Sequence, residues 1–232
     1  MFSLSLKIKN LSKKYGAGLF SEGTEIFREV SFTLEAGKTF GLMGPSGVGK
    51  STLGRITAGL EKPTDGDVFY KETSIFGLAG AERTAFRRKV QLMFQDPTDA
   101  FNPRKKIDRS IFEILKLIKI PEPERPDKTR TMLETIGLSE EVLSRFPAQL
   151  SGGQLQRLAL GRILLLEPAF IVLDEPTSAL DVSVQAQVLH LLKQVQEKWR
   201  IGYLLISHDE AIINFMSDSR GLLENGKLRV LD

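Results

Sequence analysis

Residues 44–51, GPSGVGKS, combine three glycines with a lysine and a serine at the spacing GxxxxGK[ST]. The apolar run TFGLM precedes this segment and the helical pattern STLGRITAGL continues from it, so the segment joins a strand to a helix. In that context the backbone amides can wrap a β-phosphate, Lys50 can reach the β- and γ-phosphates, and Ser51 can ligate Mg²⁺. The sequence therefore predicts a phosphate-binding loop, and an ordinary glycine-rich turn is the simpler alternative.

Two later apolar strands end in polar side chains that can act on a bound phosphate. FIVL is followed by Asp174 and Glu175, and YLLIS by His208. Parallel strands present their carboxyl ends to a shared crevice, where ligands bind. We expect Asp174 to face the Mg²⁺ shell, Glu175 to polarise the attacking water, and His208 to lie level with them and contact the γ-phosphate. The alternative is that these residues only lead the strands into solvent.

Gln95 and Tyr15 are weaker candidates, because neither residue type is specific for nucleotide chemistry. Gln95 follows VQLMF, and a neutral amide can meet Mg²⁺ or the attacking water without adding charge. Tyr15 precedes GAG and can stack on an adenine face, a contact that contributes about 1–3 kcal/mol. A surface glutamine and a half-buried tyrosine at the end of a strand are the alternatives.

A second glycine pair lies in LSGGQ, at 150–154, just before the helical pattern QLQRLALGRILLL. Helix starts expose backbone N–H groups and favour anions, but this segment contains no lysine. Ser151 can serve simply as the N-cap of the helix. The sequence thus contains two glycine-rich segments that could bind phosphate, of which only the first includes a lysine.

The composition indicates a globular protein of 232 residues, with 41% hydrophobic and 26% charged residues. A net charge of +3 without a basic stripe gives no support for a nucleic-acid partner. The absence of cysteine excludes disulfides, thiolate metal sites and a cysteine nucleophile. There is no apolar run of 18 residues, and MFSLSLKIKN alternates like a strand, so we expect a cytosolic protein.

The remaining patterns predict an α/β fold that begins with antiparallel strands. Buried strands are expected at 169–173 and 203–207, an amphipathic helix at 184–199, and a hairpin at Asn225–Gly226. Between them, IFEILKLIKI, TRTMLETIGL and SEEVLSRF read as helices, and PEPERPD as a loop. We expect one domain over 1–232, with a core of about 1–104 and 166–232 and an inserted helical subdomain of about 105–165.

These motifs, in this order, resemble those of the nucleotide-binding subunits of ABC transporters over essentially the whole chain. The resemblance makes GPSGVGKS the Walker A loop, LSGGQ the signature motif, FIVLDE Walker B and SALD the D-loop. It implies a P-loop NTPase (ABC ATPase) core with an antiparallel β subdomain and an inserted helical subdomain. It also implies ATP and Mg²⁺ as ligands.

The resemblance assigns a role to each candidate residue. Catalytic roles fall to Glu175, His208, Gln95 and Lys50. The ATP-binding residues are Tyr15, Gly44, Pro45, Ser46, Gly47, Val48, Gly49, Lys50, Ser51 and Thr52. The signature residues, which bind the ATP of a second protomer, are Ser151, Gly152, Gly153 and Gln154. Asp181 is the D-loop residue that links the two sites, and Ser51, Gln95 and Asp174 surround the metal.

The family resemblance also implies partners. Two protomers, identical or different, would face each other head to tail, with ATP between Walker A of one and LSGGQ of the other. FQDPTDAFNPRKK (94–106) resembles importer ATPases for di- and oligopeptides and nickel, in particular the second of their two ATPases. This implies two membrane permease subunits, an extracytoplasmic solute-binding protein, and a peripheral position on the cytoplasmic face of the inner membrane.

The contact with the permease subunits is expected near Gln95, over 98–104, where Phe101 and Pro103 are apolar. Two alternative functions remain open at this point. One is a soluble ABC-type switch that acts on DNA or ribosomes, and the other is an exporter ATPase.

Overall fold

The structure is a computed structural model that describes residues 4–16 and 23–231. The strands are β1 (Ser5–Tyr15), β2 (Thr24–Glu35), β3 (Thr39–Met43), β4 (Asp65–Tyr70), β5 (Thr73–Ser74), β6 (Val90–Met93), β7 (Phe170–Asp174), β8 (Gly202–Ile206), β9 (Ser219–Glu224) and β10 (Lys227–Leu231). The helices are α1 (Lys50–Thr57), α2 (Gly80–Lys89), α3 (Ile107–Leu117), α4 (Arg125–Ile136), α5 (Gly152–Leu164), α6 (Val182–Trp199) and α7 (Glu210–Met216).

The strands form two sheets. The first is antiparallel, with the order β2-β1-β4-β5, as the alternating N-terminal pattern predicts. The second has the order β10-β9-β3-β8-β7-β6, and β9, β3, β8 and β7 run parallel. The predicted hairpin is confirmed: β9 and β10 pair antiparallel across Asn225 and Gly226, both with positive φ. The fold is therefore mixed α/β, as predicted.

The central parallel strands are buried on both faces. All residues from Phe170 to Leu173 and from Tyr203 to Ile206 are fully buried. Continuous apolar runs of this kind are typical of parallel strands covered on both sides. Helix α1 packs on β7 and β8 at Gly54, where a Cβ atom would lie 3.0 Å from Ile206 Cδ1 and 3.1 Å from Val172 Cγ1. The packing fixes the helix that follows the glycine-rich loop onto these strands.

The described residues divide into two compact units. The first lies within 1–92, 169–175 and 196–232, and the second comprises 93–168 and 176–195. The first unit holds both sheets except the end of β6. The second holds α3, α4, α5 and most of α6. The predicted limits of the helical subdomain stay a prediction.

Two local predictions in the second unit are wrong. SEEVLSRF does not form an α-helix but a 3₁₀ turn at Glu140–Ser144, and a second 3₁₀ turn follows at Pro147–Gln149. The proline explains the stop, because it disfavours a helical conformation at the preceding Phe146. The segment 121–127 is not all loop, since α4 begins at Arg125 with proline in its first turn, where the missing N–H costs nothing.

Helix α6 buries the stripe that its spacing predicts. Val188, Leu192 and Val195 are buried, and His190 is exposed. Trp199, the last residue of the helix, stays about two-fifths exposed. Among the described residues, no helix combines the length and the apolar character that crossing a bilayer requires.

Candidate nucleotide site

The loop at 44–51 has a backbone that only glycine adopts readily. Gly44, Gly47 and Gly49 have φ values of +152°, +78° and +107°. Close packing adds a second constraint, since a Cβ at Gly44 would lie 2.3 Å from Leu223 O, and one at Gly49 would lie 2.3 Å from Ile26 Cγ2. Gly49 makes no side-chain cap to α1. The first amides of the helix therefore remain available to an anion.

Lys50 lies inside the curve of this loop. Its side chain is buried, and Nζ donates to the carbonyl oxygens of Gly44 at 2.7 Å and Pro45 at 2.9 Å. Both partners are neutral. Phosphate oxygens would offer the ammonium stronger, charge-assisted hydrogen bonds.

Ser51 and Asp174 meet at the end of β7. Ser51 Oγ donates to Asp174 Oδ1 at 3.1 Å. Burial raises the pKa of the Asp174 carboxyl, and the Ser51 hydrogen bond partly opposes that rise. A hydroxyl beside a carboxylate supplies the hard oxygen ligands that Mg²⁺ takes in proteins, together with phosphate and water. These two side chains therefore fit a magnesium site.

Glu175 turns out of β7 in a left-handed conformation. Its φ is +47°, which is uncommon for a non-glycine residue, and its N–H still donates to Ile206 O on β8 at 2.9 Å. Its Oε1 lies 3.2 Å from Nδ1 of His208, which follows β8. The predicted proximity of these side chains is confirmed, because β7 and β8 are parallel neighbours.

Tyr15 ends β1 and is about two-fifths exposed. Its hydroxyl donates to Glu61 Oε1 at 2.5 Å. Sequence patterns did not single out Glu61. It stands just after α1, in the turn GLEKPTDG, and its type alone marks it as an ordinary surface residue.

The signature segment begins α5 in the second unit. Ser151 is the N-cap: its Oγ accepts from Gln154 N at 3.3 Å, and its own N–H donates to Gln154 Oε1 at 3.0 Å. This capping box confirms the simpler prediction for Ser151. The capping box does not use the backbone N–H groups of Gly152 and Gly153, and these two groups make no hydrogen bond within the described part of the chain.

The two signature glycines also pack against the start of α6 and the residues just before it. A Cβ at Gly153 would lie 2.3 Å from Val184 Cγ1, and one at Gly152 would lie 3.2 Å from Leu180 Cδ2. Gly153 therefore has no room for a larger side chain unless α5 or α6 moves.

The D-loop carboxylate caps α6. Asp181 Oδ1 accepts from Ser183 Oγ at 2.8 Å and from Val184 N at 3.1 Å, and these hydrogen bonds lower the pKa of Asp181. Nearby, Gln95 Nε2 lies 3.4 Å from Ser178 Oγ. The structure thus brings Gln95 and the D-loop together within the second unit.

Gln156 is a buried polar residue that sequence patterns missed. It is about 1% exposed, and its side-chain amide donates to the carbonyl of Pro176. This hydrogen bond ties α5 to the turn ahead of the D-loop. Its position could have been found, because Gln156 lies three and four residues before Ala159 and Leu160 on the buried face of the helix.

The expectation that Phe101 offers an exposed apolar contact is wrong. Phe101 is buried, and the guanidinium of Arg162 lies 4.9 Å from its ring centroid. A buried ring gains this cation–π contact and also leaves water, which explains its inward position. Pro103, the other residue named for this contact, is exposed. Outside 98–104, the ring of Phe94 next to Gln95 is also exposed.

The sequence profile described as "ABC transporter" matches residues 27–178, about two-thirds of the chain. The chain belongs to the ABC transporter family. Solved ABC cassettes share the fold over 98% of this chain. One is the dimeric ATP-binding cassette MJ0796 in a post-hydrolysis state with ADP and Pi (TM-score 0.84, 31% identity, 98% of that chain). Another is cbiO1 from Clostridium perfringens, part of the complex cbiONQ (TM-score 0.86, 25% identity, 88% of that chain).

Curated ABC relatives carry transport names. The putative oligopeptide transport ATP-binding protein YkfD of Bacillus subtilis is 40% identical over 96% of this chain and 68% of its own length. The dipeptide transport ATP-binding protein DppF of Haemophilus influenzae is 42% identical over 87% of this chain and 62% of its own length. The nickel import ATP-binding protein NikE of Escherichia coli O157:H7 is 38% identical over 96% of this chain and 85% of its own length. The chain is thus an ATPase cassette of the ABC family, related to importer subunits.

Proposed function

We propose that this chain binds and hydrolyses ATP to energise the uptake of di- or oligopeptides, nickel or a metal chelate through separate membrane subunits. The names of the relatives support the substrate classes. The observation that carries the catalytic part is the pairing of Glu175 with His208 beside the Ser51–Asp174 contact, at the ends of neighbouring parallel strands. Ligands of open parallel sheets bind at such strand ends.

The glycine-rich loop would bind the phosphates. Its amides at the start of α1 would donate to an anion, and Lys50 would exchange its two carbonyl partners for the β- and γ-phosphate oxygens. Ser51 and Asp174 would hold Mg²⁺. Mg²⁺ held there would supply positive charge that offsets the negative charge of the phosphates.

Glu175 would orient and polarise the attacking water. Its position after β7 is fixed by the hydrogen bond to Ile206 O, and His208 lies against its carboxylate. Because Nδ1 of His208 faces Glu175, Nε2 is the nitrogen that can meet the γ-phosphate. Water would then attack the γ-phosphorus in line while the bond between the γ-phosphorus and the β,γ-bridging oxygen breaks. ADP and phosphate are released, and the Glu175 carboxylate accepts the proton of the water.

The signature segment would complete the site of a second protomer. Ser151 Oγ and the amides of Gly152 and Gly153 would bind the γ-phosphate held by the partner's loop. The solved structures of MJ0796, which are described as dimeric, support a dimer, and the two protomers here would be identical or different. Asp181, at the start of α6, would link the two nucleotides across that interface.

The transport partners are two membrane permease subunits and, through them, an extracytoplasmic solute-binding protein. The chain would sit peripherally on the cytoplasmic face of the inner membrane. With Phe101 buried, Pro103 remains the apolar residue of the predicted contact that is exposed, and the exposed ring of Phe94 beside Gln95 is a second apolar group that a permease could contact.

The test is to isolate the intact assembly from membranes and identify its other subunits. Two integral membrane proteins, with an associated solute-binding protein that carries a peptide or a metal chelate, are the expected result. Membrane subunits without a solute-binding protein would point to an exporter. Recovery with ribosomes or DNA and without membrane proteins would overturn the importer assignment.

A further inference from the structure

Glu61 is the centre of a side-chain network in the first unit. Its Oε1 accepts from the Tyr15 hydroxyl at 2.5 Å and from Lys13 Nζ at 2.9 Å, and its Oε2 accepts from Arg55 Nε at 3.1 Å. Burial by itself would raise the pKa of Glu61, but the hydrogen bonds from these three donors hold it below its usual value. The carboxylate is therefore charged at neutral pH, with both oxygens engaged.

The network restrains the Tyr15 ring at two places. The hydroxyl is bound to Glu61 at one end, and Lys13 Nζ lies 4.8 Å from the ring centroid, over one face. Lys13 is itself held by Glu61 and by the carbonyl of Lys62 at 2.8 Å. Since one face is covered by an ammonium, a base that stacks on Tyr15 must use the opposite face.

The network also reaches the helix that starts at the phosphate loop. Arg55 lies on α1, and its Nη2 donates to the hydroxyl of Thr52 at 3.0 Å. Thr52 is buried and directly follows Ser51. Side-chain hydrogen bonds thus join Tyr15 to α1 through Glu61 and Arg55, all within one unit.

We propose that Glu61 is a positioning residue for nucleotide binding, which holds the Tyr15 ring at a fixed place relative to the phosphate loop. This inference rests on the proposed ATP binding and on the stacking role that the sequence predicts for Tyr15. A ring fixed before binding loses less rotational freedom when a base stacks on it, so the affinity for nucleotides rises. The competing explanation is a half-exposed ion-pair network that contributes only to stability.

Binding of MgADP and of ribose 5-diphosphate to the 232-residue chain separates the two explanations. Both ligands carry the same sugar and phosphates, and only ADP has a base. Tyr15→Ala should weaken ADP binding about 5- to 150-fold, the range for base stacking. Glu61→Ala should weaken it about two- to tenfold, the range for a single hydrogen bond, and leave ribose 5-diphosphate binding unchanged.

The double variant gives the sharper readout. If Glu61 acts through the ring, Glu61→Ala has no further effect on ADP affinity in a Tyr15→Ala background. Glu61→Gln, which keeps the side-chain shape, should show a smaller loss in the same direction. Glu72→Ala is the matched control, because Glu72 pairs with Lys7 at 2.5 Å on the same sheet and does not contact the network.

Each outcome has one meaning. If Tyr15→Ala binds ADP like the wild type, the proposed stacking role is wrong. If Tyr15→Ala weakens ADP binding but Glu61→Ala and Glu61→Gln do not, only the positioning role is overturned. Equal losses for ADP and ribose 5-diphosphate in the Glu61 variants would overturn it as well, because they would show an effect on the phosphate loop and not on the base.

Discussion

The starts of α1 and α5 both carry glycines before a helix, yet they are built differently. At α1, Gly49 provides no side-chain cap, and a buried lysine follows directly. At α5, Ser151 and Gln154 form a capping box, and two glycine amides remain. A helix start that is left uncapped beside a cation can hold a polyphosphate alone. A helix start whose N–H groups are partly capped by side chains of the same helix can donate only a few hydrogen bonds to an anion that is held elsewhere.

The glycines themselves serve different purposes at the two starts. Gly44 and Gly49 have φ values above +100°, which a side chain would strain. Gly152 and Gly153 belong to a regular helix, and the constraint there is packing against the start of α6. The same residue type therefore marks a special backbone in one case and a close contact in the other.

The largest expected effect comes from removing the carboxylate of Glu175, the proposed general base. Glu175→Gln should lower ATP turnover by about 10²–10⁴-fold while ATP still binds, since a general base contributes about that much. Phosphate release measures the first effect and calorimetry the second. Glu197→Gln, an exposed position on α6, should keep the wild-type rate. Near-normal hydrolysis by Glu175→Gln would remove Glu175 from the mechanism.

Loss of the loop cation comes next. Lys50→Ala should weaken MgADP binding by about 10- to 100-fold, the range for hydrogen bonds to a charged group. Ser151→Ala should bind MgADP as the wild type does, because its segment would contact only the γ-phosphate of another protomer. If the two variants lost ADP affinity equally, the distinction between a complete and an auxiliary phosphate site would fail.

The smallest effect concerns the packing of the signature glycines. Gly153→Ala should lower the free energy of unfolding by about 1–3 kcal/mol, because its Cβ would overlap the stiff, branched side chain of Val184. Gly152→Ala is the matched change, and it should cost less because the flexible end of Leu180 can move. Urea denaturation measures both. Adding Val184→Ala should recover part of the loss at 153, and equal costs at the two glycines would contradict the packing explanation.

Motifs governed by a regular spacing could be predicted from the sequence. The glycine-rich loop follows from the order strand, loop, helix, and the polar residues after β7 and β8 follow from where the two apolar runs end. Parallel pairing of β7 and β8 then brings Glu175 Oε1 to 3.2 Å from His208 Nδ1. The hairpin at Asn225–Gly226 follows from turn chemistry alone. In each case the local pattern and the final packing favour the same structure.

Features that depend on contacts between distant residues could not be predicted. Phe101 is apolar in a polar stretch, but whether it faces outward depends on Arg162, 61 residues later. Glu61 belongs to no sequence motif, and its importance comes from the hydrogen bonds that it accepts from three donors on β1 and α1. SEEVLSRF has a helical pattern, yet the proline at 147 and its short length leave only a 3₁₀ turn.

The most direct measurement of the central claim is the ATPase rate per protomer as a function of protein concentration, for the wild type and for Ser151→Ala. If a nucleotide needs the loop of one protomer and the signature segment of another, the wild-type rate per protomer should rise with concentration. Ser151→Ala should stay well below it, with its MgADP affinity unchanged. A full rate that is independent of concentration and insensitive to the change at Ser151 would contradict the two-protomer site.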